Sequence, residues 1–344
     1  MFKATLRSLI LGVTLLLGFA SAGNAQKITS FDVPGSTNTQ AQAINSDGQI
    51  AGFYIDVAGV SHGFLRGQGG SFTSFDPPGS TGTQAHAINS DGVIAGSYSG
   101  ATMVHGFLRG EGGGFTTFDP PGSLSTSVTG LNSAGQVTGY YFNAGSWHGF
   151  LRQEDGTFTS FDPPGSFYTS PNAIDSAGQI VGYYYDYVFQ PHGFLRQPDG
   201  TIVTLNPPLF PALVPSFVYA INAVGQVAGY YQGGGATGFG LHGFLRQTDG
   251  AFTVFDAPGP FTFVRAINKA GQIAGFYSDA AFHNHGFLRQ PDGTIVSFDP
   301  AGSTGTYAYA INSEGRITGY YTDVAGVAHG FVRQGCELED GVCE

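Results

Sequence analysis

Along most of this chain, apolar and polar residues alternate in short runs that stop at Gly, Pro, Asn or Asp. Phe72 to Asp76, Phe-Thr-Ser-Phe-Asp, has the period of two of a strand with one buried face. Three other runs recur around it: one ending in Ala-Ile-Asn, as in Gln84 to Asn89; Gln-Ile-Ala-Gly-Phe-Tyr, as in Gln49 to Tyr54; and His-Gly-Phe-Leu-Arg. In chain order these predict strands A (Ala-Ile-Asn), B (Gln-Ile-Ala-Gly), C (His-Gly-Phe) and D (Phe-Asp). Ser-Asp-Gly or Ser-Ala-Gly joins A to B, and Gln-x-Asp-Gly or a Gly-rich equivalent joins C to D, with Gly where positive φ is needed.

The unit occurs seven times. Strand C begins at His62, His105, His148, His192, His242, His285 and His329. The strand A Asn or Asp falls at Asn45, Asn89, Asn132, Asp175, Asn222, Asn268 and Asn312. The Phe-Asp-x-Pro-Gly motif has its acid or amide at Asp32, Asp76, Asp119, Asp162, Asn206, Asp256 and Asp299. Four strands in roughly 43 residues is the size of a propeller blade. The ends are out of phase with the unit. A lone strand D, Lys27 to Asp32, opens the series, and the seventh unit stops after C. This predicts an all-β, seven-bladed β-propeller of four-stranded blades, closed where the N-terminal strand completes the last blade and removes two free sheet edges.

Composition fits. Gly supplies 55 of 344 residues, Phe 30 and Tyr 17, while charged residues are 11%. Net charge is −11, and −13 once Lys3 and Arg7 are removed with the first 25 residues. That excludes nucleic acid and an anionic membrane surface as partners. Lys3, Arg7, the apolar run Leu9 to Ala20 and the small residues after it read as a signal peptide over 1–25, cleaved after Ala22 or Ala25. The expectation is a secreted or periplasmic protein with no stable membrane insertion after cleavage, a propeller over 26–334 and a tail over 335–344. The tail carries both cysteines, Cys336 and Cys343, which an oxidising compartment would join.

The His-Gly-Phe and Asn-x-x-Gly-x-x-x-Gly cores together resemble the HAF-type probable extracellular repeat family of exported bacterial proteins, across essentially the whole mature chain. One departure is consistent: the family's middle Ala is Gly here, as at Gly63 and Gly106. The resemblance implies export and repetition, and no activity, cofactor or catalytic residue.

Chemistry must then come from particular residues. Seven equivalent histidines cannot converge on one ion, so each is expected to bond within its own blade, to the Phe-Asp carboxylate 14 residues later. The seven arginines of strand C read as solvated or salt-bridged strand ends. Asn-Ser-Asp-Gly lacks the ligand spacing of a calcium loop. His283 and His285 share a strand face without a visible third ligand, so no metal and no cofactor is expected. Loop acids Asp56, Asp186, Asp279 and Asp323 recur in equivalent places, which reads as a surface feature.

Loop lengths narrow the search. The Asn-to-Gly span from A to B is always 7 residues and the His-to-Asp span from C to D always 14. The B–C span varies from 9 to 13 and the D–A span from 12 to 16. Both variable connections lie on one face, and both are longest in the fifth blade. There Pro207 to Val218 and Gln232 to Leu241 bring Phe210, Phe217 and Phe239 together, with Tyr219 and Tyr231 nearby. A second candidate is the axial mouth, where the residue three before each strand A Asn varies freely: Gln42, His86, Thr129, Asn172, Tyr219, Arg265, Tyr309. Together these suggest a non-enzymatic binding or interaction module presenting aromatic loops to a glycan or an extracellular protein. A polysaccharide hydrolase or lyase and a structural envelope or matrix protein are the alternatives.

Overall fold

The computed structural model describes residues 27–207, 214–235, 238–335, 338–339 and 342–343, and the side chains of 234–239 and of the tail beyond 335 lie outside that description. The signal peptide and the Cys336–Cys343 bridge therefore fall outside the described residues.

Seven four-stranded antiparallel blades form from the repeated unit. In the first, strands Ser36–Ile44, Ile50–Asp56, Ser61–Arg66 and Phe72–Phe75 pair in chain order. The seventh comprises Gly305–Ile311, Ile317–Thr322 and Ala328–Arg333, and its fourth strand is Ile28–Phe31, registered Ile28 to Arg333 and Phe31 to Gly330. The N-terminal strand thus closes the ring, as the phase of the repeat predicts. Single parallel bridges, Trp147 to Tyr168 and Leu241 to Phe261, also tie the third blade to the fourth and the fifth to the sixth.

The core lies between blades. Phe64, Phe107, Phe150, Phe194, Phe244, Phe287 and Phe331 of the strand C motif are fully buried. The Gly before each Phe is needed there: a Cβ at Gly63 would collide with the Phe75 ring, and one at Gly106 with Phe118. The strand C arginines depart from the sequence expectation. Arg109, Arg152, Arg196, Arg289 and Arg333 are buried and Arg66 half-buried, and none is salt-bridged among the described residues. Each lays its guanidinium over the strand D Phe of the preceding blade, at 4.8–5.1 Å from the ring centroid. These stacks fasten neighbouring blades together.

Within a blade the histidine does what the sequence expects. His62 Nδ1 donates to Asp76 at 2.7 Å, and the pairing repeats at 2.7–2.9 Å in His105–Asp119, His148–Asp162, His242–Asp256, His285–Asp299 and His329–Asp32. The next strand A threonine donates to the same carboxylate, as Thr83 does to Asp76 at 2.6 Å, and a strand B tyrosine stacks on the imidazole, as Tyr54 does on His62. In the fourth blade Asn206 replaces the acid, and His192 bonds Asp186 instead, at 3.1 Å. Asp56, Asp186, Asp279 and Asp323 each accept two backbone N–H groups of their own B–C turn, a structural use of the loop acids.

Candidate functional site

Every strand A carries a β-bulge, and in every blade the bulged residue is the variable one. In the first blade Ala41 pairs with Gly52 and Ala43 with Ala51, which leaves Gln42 unpaired. The same shift isolates His86, Thr129, Asn172, Tyr219, Arg265 and Tyr309. The strand B Gly allows it: a Cβ at Gly52 would collide with the Gln40 carbonyl. A bulge re-aims a side chain without disturbing the strands on either side. Here it delivers seven side chains of six kinds to the axis of an otherwise regular ring.

They line one cavity of about 570 Å³, together with Ser61, Gly82, Ser99 and Val104 at strand ends on the face of the B–C and D–A connections. That size suits a small molecule or one or two sugar rings. The walls differ by blade. Blades five to seven contribute Tyr219, Arg265 and Tyr309, backed by Phe217, Tyr230, Phe263, Phe276, Tyr307 and Tyr320 in ring contact at centroid distances of 4.8–5.7 Å. Blades one to four contribute Gln42, His86, Thr129 and Asn172, with Gln84, Ser97 and Ser127 and the tyrosines Tyr98 and Tyr140 among them.

The second blade departs from the rest at one further position. The residue after the strand B Gly is aromatic in six blades (Phe53, Tyr140, Tyr183, Tyr230, Phe276, Tyr320) and serine in the second. Ser97 leaves a ring-sized gap beside His86 and Gln84, and its hydroxyl accepts the Val128 N–H at 2.9 Å. Withdrawal from bulk water pushes the His86 imidazole down to about 4, although one edge still meets the lumen, so it is neutral at pH 7. Burial pushes the Tyr183, Tyr230 and Tyr320 phenols up, which keeps them protonated hydrogen-bond donors.

The aromatic wall continues to the rim. Phe217 touches Tyr183, which leads through Tyr185 and Phe167 to Phe189, with successive centroids 5.0–6.4 Å apart. Phe189 is 71% exposed and Phe282, on the sixth blade, 74%. Both sit where the equivalent Asp-x-x-Gly turns use Gly59 and Gly326, and both adopt the same left-handed backbone, at φ 62° and 65°. A bulky residue there is strained by about 1 kcal/mol or more.

The sequence candidates divide accordingly. His86, Tyr219, Arg265 and Tyr309 line the cavity together. Phe217 joins the aromatic wall rather than an exposed loop patch. Tyr231 belongs elsewhere: it is 4% exposed, stacked on His242 of its own blade and packed in the core shared with the fourth, because adjacent residues of a strand point to opposite faces and Tyr230 takes the axial side. Phe210 and the Phe239 side chain lie outside the described residues. The B–C insertion of the fifth blade lengthens its hairpin, Val227–Gly235 with Gly238–Arg246, instead of forming a separate lobe. Ser97 and Phe189 escape a motif search, yet each is visible as the odd residue in an aligned repeat.

No protein-family model matches this chain, and no curated protein sequence does. Solved structures do. A streptogramin B lyase aligns over 90% of this chain and 98% of its own, at 15% identity and a TM-score of 0.59. A virginiamycin B lyase from Staphylococcus aureus, solved with quinupristin, covers 89% and 99% at 13% identity and 0.57. The β-propeller domain of the Trilobed protease from Pyrococcus furiosus covers 88% and 96% at 8% identity and 0.61. These likenesses establish the β-propeller fold. The Pyrococcus domain has an open velcro topology, whereas here Ile28–Phe31 closes the ring.

Proposed function

We propose that this protein is a non-enzymatic binding module that holds a saccharide-sized ligand in its axial channel. The observation that carries the reading is the bulge at all seven strand A positions, which gathers the blade-specific residues of a near-identical repeat into one cavity. An aromatic wall opposite amides and hydroxyls suits a sugar ring, which has an apolar face and an equatorial fringe of hydroxyls. The described lining holds no carboxylate, so the acid pair of a glycoside hydrolase has no counterpart there. Export and an extracellular or periplasmic role belong to this reading as proposals.

Glycan-array binding by the purified protein, compared with its Tyr219→Ala and Gln42→Ala variants, tests it. Binding that falls in both variants while the melting temperature holds is the expected result. Binding indifferent to both would move the site off the axis.

A further inference from the structure

Arg265 is the only formally charged side chain on the described cavity lining, in a chain whose net charge is −11. Its guanidinium lies 4.6 Å from the Tyr219 ring centroid and 5.3 Å from those of Phe276 and Tyr309. Three π-faces hold it in place without neutralising it. Its Nε is buried and unpartnered among the described residues, and no carboxylate there forms an ion pair with it. Six strand C arginines share the ring stack and the unpartnered Nε, but Arg109, Arg152, Arg196, Arg246 and Arg289 bond a neighbouring backbone carbonyl, and none of the seven lines the channel. Arg265, which also spans neighbouring blades through Tyr219 and Tyr309, makes no such bond among the described residues and stands at the lumen.

A partly buried cation with unmet donors is costly until an anion arrives. With Nε buried, the terminal N–H groups are the part of the guanidinium that a ligand can reach, and such a pair can donate two parallel hydrogen bonds to a carboxylate. The rest of the described lining is neutral, including His86 at pH 7. One cation with no acid beside it favours a net monoanion and disfavours a zwitterion, whose ammonium would find no partner. Gln42, Gln84, Thr129 and Asn172 then offer neutral hydrogen bonds in number, as a polyhydroxylated ligand needs.

We infer that the channel recognises a carboxylate-bearing sugar, a uronic acid unit of an acidic saccharide, with the carboxylate seated on Arg265 and the ring against Tyr219. The inference rests on the axial-channel reading above and names the ligand class for the same site.

The probes are short galacturonate and glucuronate oligomers, their methyl esters, and neutral galactose and glucose oligomers, titrated calorimetrically into the wild-type protein and into Arg265→Gln, Arg265→Lys and Ser97→Tyr. At least one acid should bind about tenfold or more tightly than its ester, as expected of a charge-assisted pair. Arg265→Gln should reduce the acid to the ester's affinity and leave the ester within about twofold, and Arg265→Lys should recover part of the difference. Ser97→Tyr should remove both. Equal binding of acid and ester would overturn the role of Arg265 while leaving the channel reading intact. Acid binding that survives Ser97→Tyr would overturn the channel itself. No binding by any uronate in the panel, with melting temperatures unchanged, would overturn the ligand class. Cleavage of a uronate that depends on Arg265 would support the carboxylate seat and overturn the non-enzymatic reading.

Discussion

The side-chain amide of Asn312 donates to the backbone carbonyl of Asn45 at 3.1 Å, joining residues 267 positions apart in sequence. The same bond runs from Asn45 to Asn89, Asn89 to Asn132, Asn132 to Asp175, Asn222 to Asn268 and Asn268 to Asn312 at 2.9–3.3 Å. A belt of amides therefore surrounds the axis where strands A end, and it is interrupted once, at Asp175. A carboxylate can cap its own A–B turn, as Asp175 does for Ala177 and Gln179, but it has no N–H for the Asn222 carbonyl.

Asp175→Asn should complete the belt. Burial raises the Asp175 carboxyl above its ordinary value, against backbone hydrogen bonds that lower it. A carboxyl whose pKa is raised on folding costs stability above that pKa and costs nothing well below it. The substitution should therefore add about 1 kcal/mol at pH 7 and progressively less as the pH falls towards about 4. Thermal melting across pH 4–8 checks this, and a gain that grows on acidification would count against it.

His329 and Asp32 tie the closing strand to the last blade at 2.9 Å. Burial alone would lower the imidazole, but the hydrogen bonds and charges of Asp32 and Asp323 outweigh it and the net shift is upward. A raised histidine pKa contributes stability that is complete below about 6.5 and is lost as the pH climbs through the folded value. Asp32→Asn should flatten the fall in melting temperature between about pH 6 and 8, by less than about 1 kcal/mol because the pair is partly solvated. Deleting Lys27 to Asp32 should do far more, lowering melting temperature and solubility together. An unchanged melting temperature would deny the closure.

Phe189→Gly should restore the glycine that equivalent turns use at Gly59 and Gly326. Relief of the left-handed strain offsets the loss of a largely exposed ring, so stability should hold or rise by up to about 1 kcal/mol. If the rim aromatics extend the channel's binding surface, longer oligosaccharides should lose affinity in this variant while monosaccharides do not. Calorimetry with a length series reads the difference.

Much of this was legible in the sequence because the protein repeats itself. Aligning seven units exposes the strands, the phase of the ends, the His–Asp tie and the seven variable residues from Gln42 to Tyr309. The bulge that turns those residues to the axis was not legible, since it depends on the contact between a strand B glycine and a strand A carbonyl. The Arg–Phe stacks were missed because each pair joins residues of neighbouring blades, as with Arg196 and Phe161. Tyr231 was misplaced by proximity: one step along the strand from Tyr230 reverses the side chain's direction. Ser97 and Phe189 were readable in principle, as departures at positions that are aromatic or glycine elsewhere.

Ser97→Tyr tests the central claim most directly. It puts into the second blade the residue that the third, fourth, fifth and seventh already carry, so the blade should accept it and the melting temperature should change little, with only the Val128 hydrogen bond lost. The new ring would fill the channel between His86 and Gln84. Saccharide affinity measured by calorimetry should then fall by tenfold or more (about 1.4 kcal/mol) in a protein that melts normally. A normally melting Ser97→Tyr protein with wild-type affinity would contradict the assignment of the axial channel as the binding site.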